Sequence, residues 1–132
     1  MITIVLVDDH KMVRQGIKNL LDIEPDLKVV GDADNGPEGL KLVQKLKPDI
    51  LITDLKMDGM DGLEVTLKAK ELSPNTQSII LSMYGNGYVS KAFKSGARGY
   101  IVKGAGIDEV VQAIRTVVTG EIYVGNIPDK DI

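Results

Sequence analysis

The stretch "DILITDLKMDGMDG", residues 49–62, decides the fold. Ile50, Leu51 and Ile52 form a run with no polar alternation, which marks a strand covered on both faces, as parallel strands are beneath helices. Two residues later the chain presents Asp54, then breaks into a loop carrying Gly59 and Gly62. Dehydrating a carboxylate is expensive, so an acid at the tip of a buried strand calls for a compensating partner.

Outward from this stretch, short apolar runs alternate with segments of helical period. The other strands are "TIVLV" (3–7), "LKVVGDA" (27–33), "QSIILS" (77–82) and "GYIVK" (99–103). Residues 11–22 place Val13, Ile17, Leu20 and Leu21 on one helical face. A second helix opens at Asn35 and Pro37, buries Leu40, Val43 and Leu46, and stops before Pro48. A third opens near Asp61 and carries Leu63, Leu67 and Leu72 ahead of Pro74. The fifth sets Ile107, Val110, Val111, Ile114, Val117 and Val118 at i, i+3, i+4, i+7 spacing and ends at Gly120. The fourth, residues 86–95, has Val89, Ala92 and Phe93 as its apolar face. Glycines weaken it, each costing up to ~1 kcal/mol in a helix interior, so it is expected to be short and mobile at its start. Five β-then-α rounds predict an α/β, flavodoxin-like, doubly wound parallel sheet of strand order 2-1-3-4-5 with right-handed crossovers.

A length of 132 residues supports one core. Hydrophobic content of 43% and charged content of 27% fit a soluble globular domain. The net charge of −3 offers no basic surplus for nucleic acid or an anionic membrane. No cysteine is present, which excludes disulfides and thiolate metal sites. "MITIVLV" runs directly into Asp8 and Asp9 without signal-peptide features, and no apolar run approaches the ~20 residues of a bilayer span. The expected location is cytoplasmic, with no membrane partner. Residues 1–120 are assigned to the folded domain, and 121–132 read as a linker cut short.

Ligands of such sheets sit beyond the carboxyl ends of the strands, where strand order switches. That point lies between strands one and three, which brings Asp8 and Asp9 toward Asp54. At ~4 Å and an effective dielectric of ~20, each pair of negative charges costs roughly 4 kcal/mol. An oxygen cluster of this kind suits Mg²⁺, with Mn²⁺ as a substitute. Ser82 and Lys103 end strands four and five and point to the same edge, completing a set suited to phosphoryl transfer. Taken singly, these residues read as caps, a turn serine and a surface lysine; their joint occurrence at four ordered strand ends carries the functional reading. His10 is taken as a helix-start residue in preference to a base or ligand.

With "VLVDDH", "DILITDLKMDGMDGLE", "IILSMY" and "GARGYIVK" in order, the sequence resembles the receiver domain of two-component response regulators over residues 2 to about 120. "VDDH", "LSMY" and "GEIYV" are most similar to the NarL/FixJ (LuxR-type) subfamily, whose members usually continue into a helix-turn-helix DNA-binding domain. The resemblance implies a phosphorylation-dependent switch controlling transcription, not a turnover enzyme beyond its own phosphoryl transfer and slow dephosphorylation. By it, Asp54 accepts phosphate from a sensor histidine kinase. Asp9 and Asp54 ligate Mg²⁺ directly, Asp8 through water, and Lys56 through its backbone carbonyl. Ser82 and Lys103 hold phosphoryl oxygens, and Tyr100 is the aromatic switch residue. A homodimer on phosphorylation is possible by the same analogy, and DNA contact belongs to the output domain alone.

Departures from the common pattern are Asp58 where proline is frequent, Met83 where many members carry a small residue, and Gly104 where proline usually follows the lysine. The bond preceding Gly104 is expected to be trans, since a cis bond before a non-proline residue costs ~3–4 kcal/mol. Lys56 and Tyr84 occupy positions that tune dephosphorylation. Three rival readings are an aspartyl-phosphate phosphatase, a flavin or nucleotide binder, and a phosphorylation-independent interaction module. The first lacks an acid two residues after Asp54, where Lys56 stands. The second lacks a glycine-rich loop after strand one. The third is disfavoured by the complete acidic set.

Overall fold

The computed structural model describes residues 1–83, 87–104 and 106–125. Tyr84 and residues 126–132 of the expected linker lie outside the described residues. The elements are β1 (Ile2–Val7), α1 (Lys11–Ile23), β2 (Leu27–Ala33), α2 (Gly36–Leu46), β3 (Ile50–Asp54), α3 (Gly62–Leu72), β4 (Gln77–Ser82), α4 (Val89–Lys94), β5 (Gly99–Val102), α5 (Ile107–Val117) and β6 (Tyr123–Val124). All pairings are parallel and the order is β2-β1-β3-β4-β5-β6. The expected order 2-1-3-4-5 is thus found with one short strand added at the β5 edge. No cis peptide occurs among the described residues, and Gly104 takes φ 102°, a conformation that favours glycine.

Successive residues of a strand face opposite ways, and here both faces are apolar. Ile4, Leu6, Ile50, Ile52, Ile79 and Leu81 pack toward Leu21 of α1 and Val110, Ile114 and Val117 of α5. Val5, Val7 and Leu51 pack on the other face with Leu40 and Val43 of α2 and Val65 and Ala69 of α3. A third cluster joins Leu55, Ile80 and Tyr100 to Val89 and Ala92 of α4. Burial on both sides explains why β1, β3 and β4 lack alternation.

Local chemistry sets the helix ends. The Asn35 side chain accepts a hydrogen bond from the Glu38 N–H at 2.9 Å, and Asp61 does the same for the Glu64 N–H at 2.9 Å. Lys47, at φ 46°, closes α2 immediately before Pro48. The fourth helix is confined to Val89–Lys94, shorter than the expected 86–95.

Four expectations need correction. On α1, Val13, Ile17 and Leu20 share a face as expected and line a groove with Ile107 and Val110, but Val13 and Leu20 stay 39% and 45% exposed and only Leu21 is deeply buried. On α2, Leu46, expected to be buried with Leu40 and Val43, is 39% exposed; on α3, Leu67 is 50% exposed and the buried residues include Val65, Thr66 and Ala69. Tyr123–Val124, read as linker, belong to the sheet, with Tyr123 N–H bonded to Arg98 O at 2.9 Å and Gly125 N–H to Tyr100 O at 2.8 Å.

The β3–α3 connection depends on Gly62. Its N–H donates to Leu55 O at 2.8 Å, and a Cβ there would be driven into the Asp54 carbonyl oxygen. Gly62→Ala is expected to lower unfolding free energy by about 1–3 kcal/mol through this overpacking. Gly16, on the exposed side of α1 with open space around its Cα, should show the opposite sign: Gly16→Ala should stabilise by about 0.5–1 kcal/mol. Urea titrations of the two variants check both signs.

Candidate functional site

Parallel pairing brings the strand ends together on one edge. Asp8 and Asp9 follow β1, Asp54 closes β3, Ser82 closes β4, and Lys103 follows β5. Register places Thr53 of β3 beside Val7 of β1 and Asp54 beside Leu81 of β4, so each functional residue lies at or just beyond a paired position. Residues far apart in sequence meet for this reason alone.

Asp8 and Asp54 are buried, with 1% and 5% of their surface exposed. Lys103 Nζ lies 3.0 Å from Asp8 Oδ2 and 3.2 Å from Asp54 Oδ2, bridging the two acids. Leu55 N–H donates to Asp54 Oδ1 at 2.8 Å. His10 N–H donates to Asp8 Oδ1 at 2.8 Å, and the Arg14 guanidinium donates to the Asp8 backbone carbonyl at 2.6 Å while pairing with Asp32 at 2.9 Å. Arg14 thereby anchors the turn after β1 through the backbone of Asp8. Burial pushes the Asp54 carboxyl above its ordinary range; Lys103 opposes this and the charge of Asp8 reinforces it.

Asp9, more exposed than the other two, completes the acidic group. One ligand atom from each of Asp8, Asp9, His10 and Asp54 can be chosen so that all lie within 4.8 Å of one another. Among the described residues Lys103 pairs with Asp8 and Asp54, and Asp9 adds a third carboxylate, leaving a negative excess that a divalent cation would balance. Oxygen donors of this number fit Mg²⁺ or Mn²⁺, whose remaining positions are filled by water. The donor set therefore suits the ion that the sequence led us to expect.

The other expected residues divide. Ser82 is fully buried at the β4 end, and its carbonyl accepts the Lys103 N–H at 2.5 Å, tying the two strand ends together. Lys56 is exposed in the loop after Asp54, its ammonium 4.6 Å from the centre of the Tyr88 ring. Tyr100 has no exposed surface and packs inward among Leu55, Ile80, Val89 and Ala92. Met83 is 70% exposed beside the site. His10 was expected only to start α1. It does occupy the N-cap position, but without a side-chain cap bond. Its ring turns over the acids, with Nδ1 3.1 Å from Asp8 Oδ1, 3.2 Å from Asp9 Oδ1 and 3.7 Å from Asp54 Oδ2. The sequence signal was adjacency to two acids at a strand end; helix-start chemistry gave a competing account of the same residue.

Comparison with known proteins agrees with this arrangement. Residues 4–115 match the response regulator receiver domain family. The response regulator UvrY of Escherichia coli K12 is 38% identical over 127 residues, covering 96% of this chain and 58% of that protein. The oxygen regulatory protein NreC of Staphylococcus epidermidis is 42% identical over 123 residues, covering 92% of this chain and 56% of that one. This chain thus spans little more than half the length of these relatives. A LuxR-family two-component response regulator from Aurantimonas sp. SI85-9A1 superposes with a TM-score of 0.91 at 32% identity, covering 100% of this chain and 95% of that one. No helix among the described residues is long and apolar enough to cross a membrane. The chain belongs to the response regulator receiver domain family, in its NarL/FixJ-type branch.

Proposed function

We propose that this receiver domain takes a phosphoryl group onto Asp54 from the phosphohistidine of a sensor kinase and changes conformation in response. The observation that carries this reading is the bridging of Asp8 and Asp54, both nearly removed from water, by Lys103. A structural ion pair would need one acid; this edge holds three. In the transfer, a carboxylate oxygen of Asp54 forms a P–O bond as the P–N bond of the donor breaks and its imidazole leaves. Asp9 and Asp54 would hold Mg²⁺ directly, Asp8 through water, and the Lys56 carbonyl would be a further protein ligand. The ion supplies neutralisation of charge on the phosphoryl oxygens.

The chain's own groups do the rest. Burial keeps solvent from most of the Asp54 carboxylate and strengthens each electrostatic contact around it. Lys103, already beside Asp54, is placed to pair with a phosphoryl oxygen, and Ser82 to donate a hydrogen bond to another. The loss of the Lys103–Asp8 contact in favour of the phosphoryl group gives the differential contacts that a population shift requires. Tyr100 and the face of α4, β5 and α5 are the readout of that shift, and the six residues of α4 are its least secured element. In this reading the folded domain extends from residue 1 through β6, past the expected boundary at 120, and an output domain beyond the linker contacts DNA. Phosphorylation favours a homodimer, and the site performs no multiple-turnover catalysis on other substrates.

Acetyl phosphate with Mg²⁺ should place one hydroxylamine-sensitive label per chain, and Asp54→Asn should abolish it. Continuous phosphate release far faster than decay of the label would instead indicate a phosphatase. Free Mg²⁺ at one hundred times its dissociation constant should stabilise the fold by about 2.7 kcal/mol. Chelation should reverse that gain and Asp9→Ala should lose most of it, both read by thermal denaturation. In ion-free buffer at neutral pH, Asp54→Asn should melt higher than wild type. A carboxyl raised by folding binds its proton more readily in the folded state, so wild type recovers stability as pH falls from the folded value toward the unfolded one. The advantage of the variant should therefore be full above the raised Asp54 value and fade through that acid interval. Amide exchange over residues 87–104 should change on adding beryllofluoride with Mg²⁺; identical protection would sink the proposed readout face.

A further inference from the structure

A single atom of His10 reaches all three carboxylates of the acidic edge. The ring Nδ1 lies 3.1, 3.2 and 3.7 Å from oxygens of Asp8, Asp9 and Asp54. The contact to Asp8 Oδ1 has the length of a hydrogen bond, and a single ring N–H engaged there leaves the approaches to Asp9 and Asp54 without a hydrogen bond of their own. The position is one shared by donors gathered around a common centre. Two features set it. The His10 backbone N–H is fixed to Asp8 Oδ1 at 2.8 Å, which turns the residue back over the cleft. The Arg14 guanidinium holds the Asp8 carbonyl at 2.6 Å, one helical turn further on. The side chain itself remains 58% exposed, so the ring can swing by an ångström or two without disturbing the core.

The distances suit one ion held directly by Asp9, His10 and Asp54, with Asp8 reaching it through water. Ligands bonded to a divalent ion at ~2.0–2.3 Å stand ~3 Å apart when adjacent and ~4–4.6 Å apart when opposite. Here the chosen donor atoms of Asp8, Asp9, His10 and Asp54 all fall within 4.8 Å of one another. Imidazole adds little for Mg²⁺, which selects hard oxygen donors, but it favours borderline ions such as Co²⁺, Ni²⁺ and Zn²⁺ and is accepted by Mn²⁺. Resting on the metal-dependent reading above, we infer that His10 is an inner-sphere nitrogen ligand of this site. It makes the site a mixed nitrogen–oxygen centre that binds divalent transition ions in preference to Mg²⁺.

The chain has one histidine, so an imidazole signal has one source. The experiment uses the untagged chain and Mn²⁺ alone as probe, with pulsed electron paramagnetic resonance of the bound ion. Wild type should show a directly coupled ¹⁴N nucleus, absent from His10→Ala, which still binds Mn²⁺ through its carboxylates. By calorimetry, His10→Ala should lose about tenfold or more in Co²⁺ affinity and less than about threefold in Mg²⁺ affinity. Circular dichroism verifies that the variant, altered only at a largely exposed side chain, remains folded. Mn²⁺ bound without nitrogen coupling, coupling that persists in His10→Ala, or equal losses for Co²⁺ and Mg²⁺ would each overturn the inference and leave the phospho-acceptor reading standing. Failure of wild type to bind either Mn²⁺ or Mg²⁺ would overturn both.

Discussion

Asp8 and Asp54 are held almost out of water with one lysine between them, and the rest of the structure serves that arrangement. Two carboxylates ~4 Å apart cost roughly 4 kcal/mol at an effective dielectric of ~20, before any desolvation is counted. A fold can sustain this only if the acids sit on rigid supports and a cation is fixed against them. The parallel sheet provides the supports: neighbouring strands ending on the same edge bring residues 8, 54 and 103 together without any local sequence relation. Lys103 provides the cation at 3.0 and 3.2 Å. What remains is an unbalanced negative charge, and that remainder gives the edge its capacity for chemistry.

Much of this was written in the sequence because strands covered on both faces leave a plain trace. Ile50, Leu51 and Ile52 announce β3, and the topology that follows places Asp54 beside Asp8 and Asp9. The failures share a physical origin. A period of 3.6 residues identifies an apolar face but not how closely the backbone approaches the sheet. On α3 the buried residues include small Thr66 and Ala69, and Leu67 lies half exposed on the flank. Small residues carry almost no hydrophobic signal, so the true face was hidden. The two-residue β6 exists through backbone bonds to Arg98 and Tyr100, partners that no local pattern encodes. The His10 ring was missed because its helix-start position gave a sufficient local account, and the other acid that draws it in, Asp54, is supplied by a distant strand.

Gly62 shows how the site constrains the chain around it. Asp54 can end β3 facing the cleft only if the returning helix passes directly behind its carbonyl, where no side chain fits. The loop between them is held from below by Met57, which has 9% of its surface exposed and packs with Val5, Val7 and Leu51. The carboxylate is therefore clamped from behind by packing and from the front by charge. A phospho-acceptor benefits from both, because a nucleophile already oriented loses little freedom on meeting its donor.

The same lysine that neutralises the acids is the natural route by which their modification would be felt elsewhere. Its backbone N–H is bonded to Ser82 O at 2.5 Å, so a shift of Lys103 toward a phosphoryl group cannot leave β4 untouched. Three residues upstream, Tyr100 is fully buried and its carbonyl is held by Gly125 N–H at 2.8 Å. β5 is thus fastened at the site by Lys103 and at its outer edge by β6, and a strand of four residues between two such anchors transmits displacement more readily than it absorbs it. The slack must be taken up by a neighbour with less holding it. Among the elements packed on Tyr100, α4 is that neighbour: it has six residues, no side-chain cap at Tyr88 and two buried side chains, Val89 and Ala92. On the proposed mechanism, the weakness of α4 is a requirement of the switch, since a longer, well-capped helix at this place would oppose the movement that Lys103 initiates.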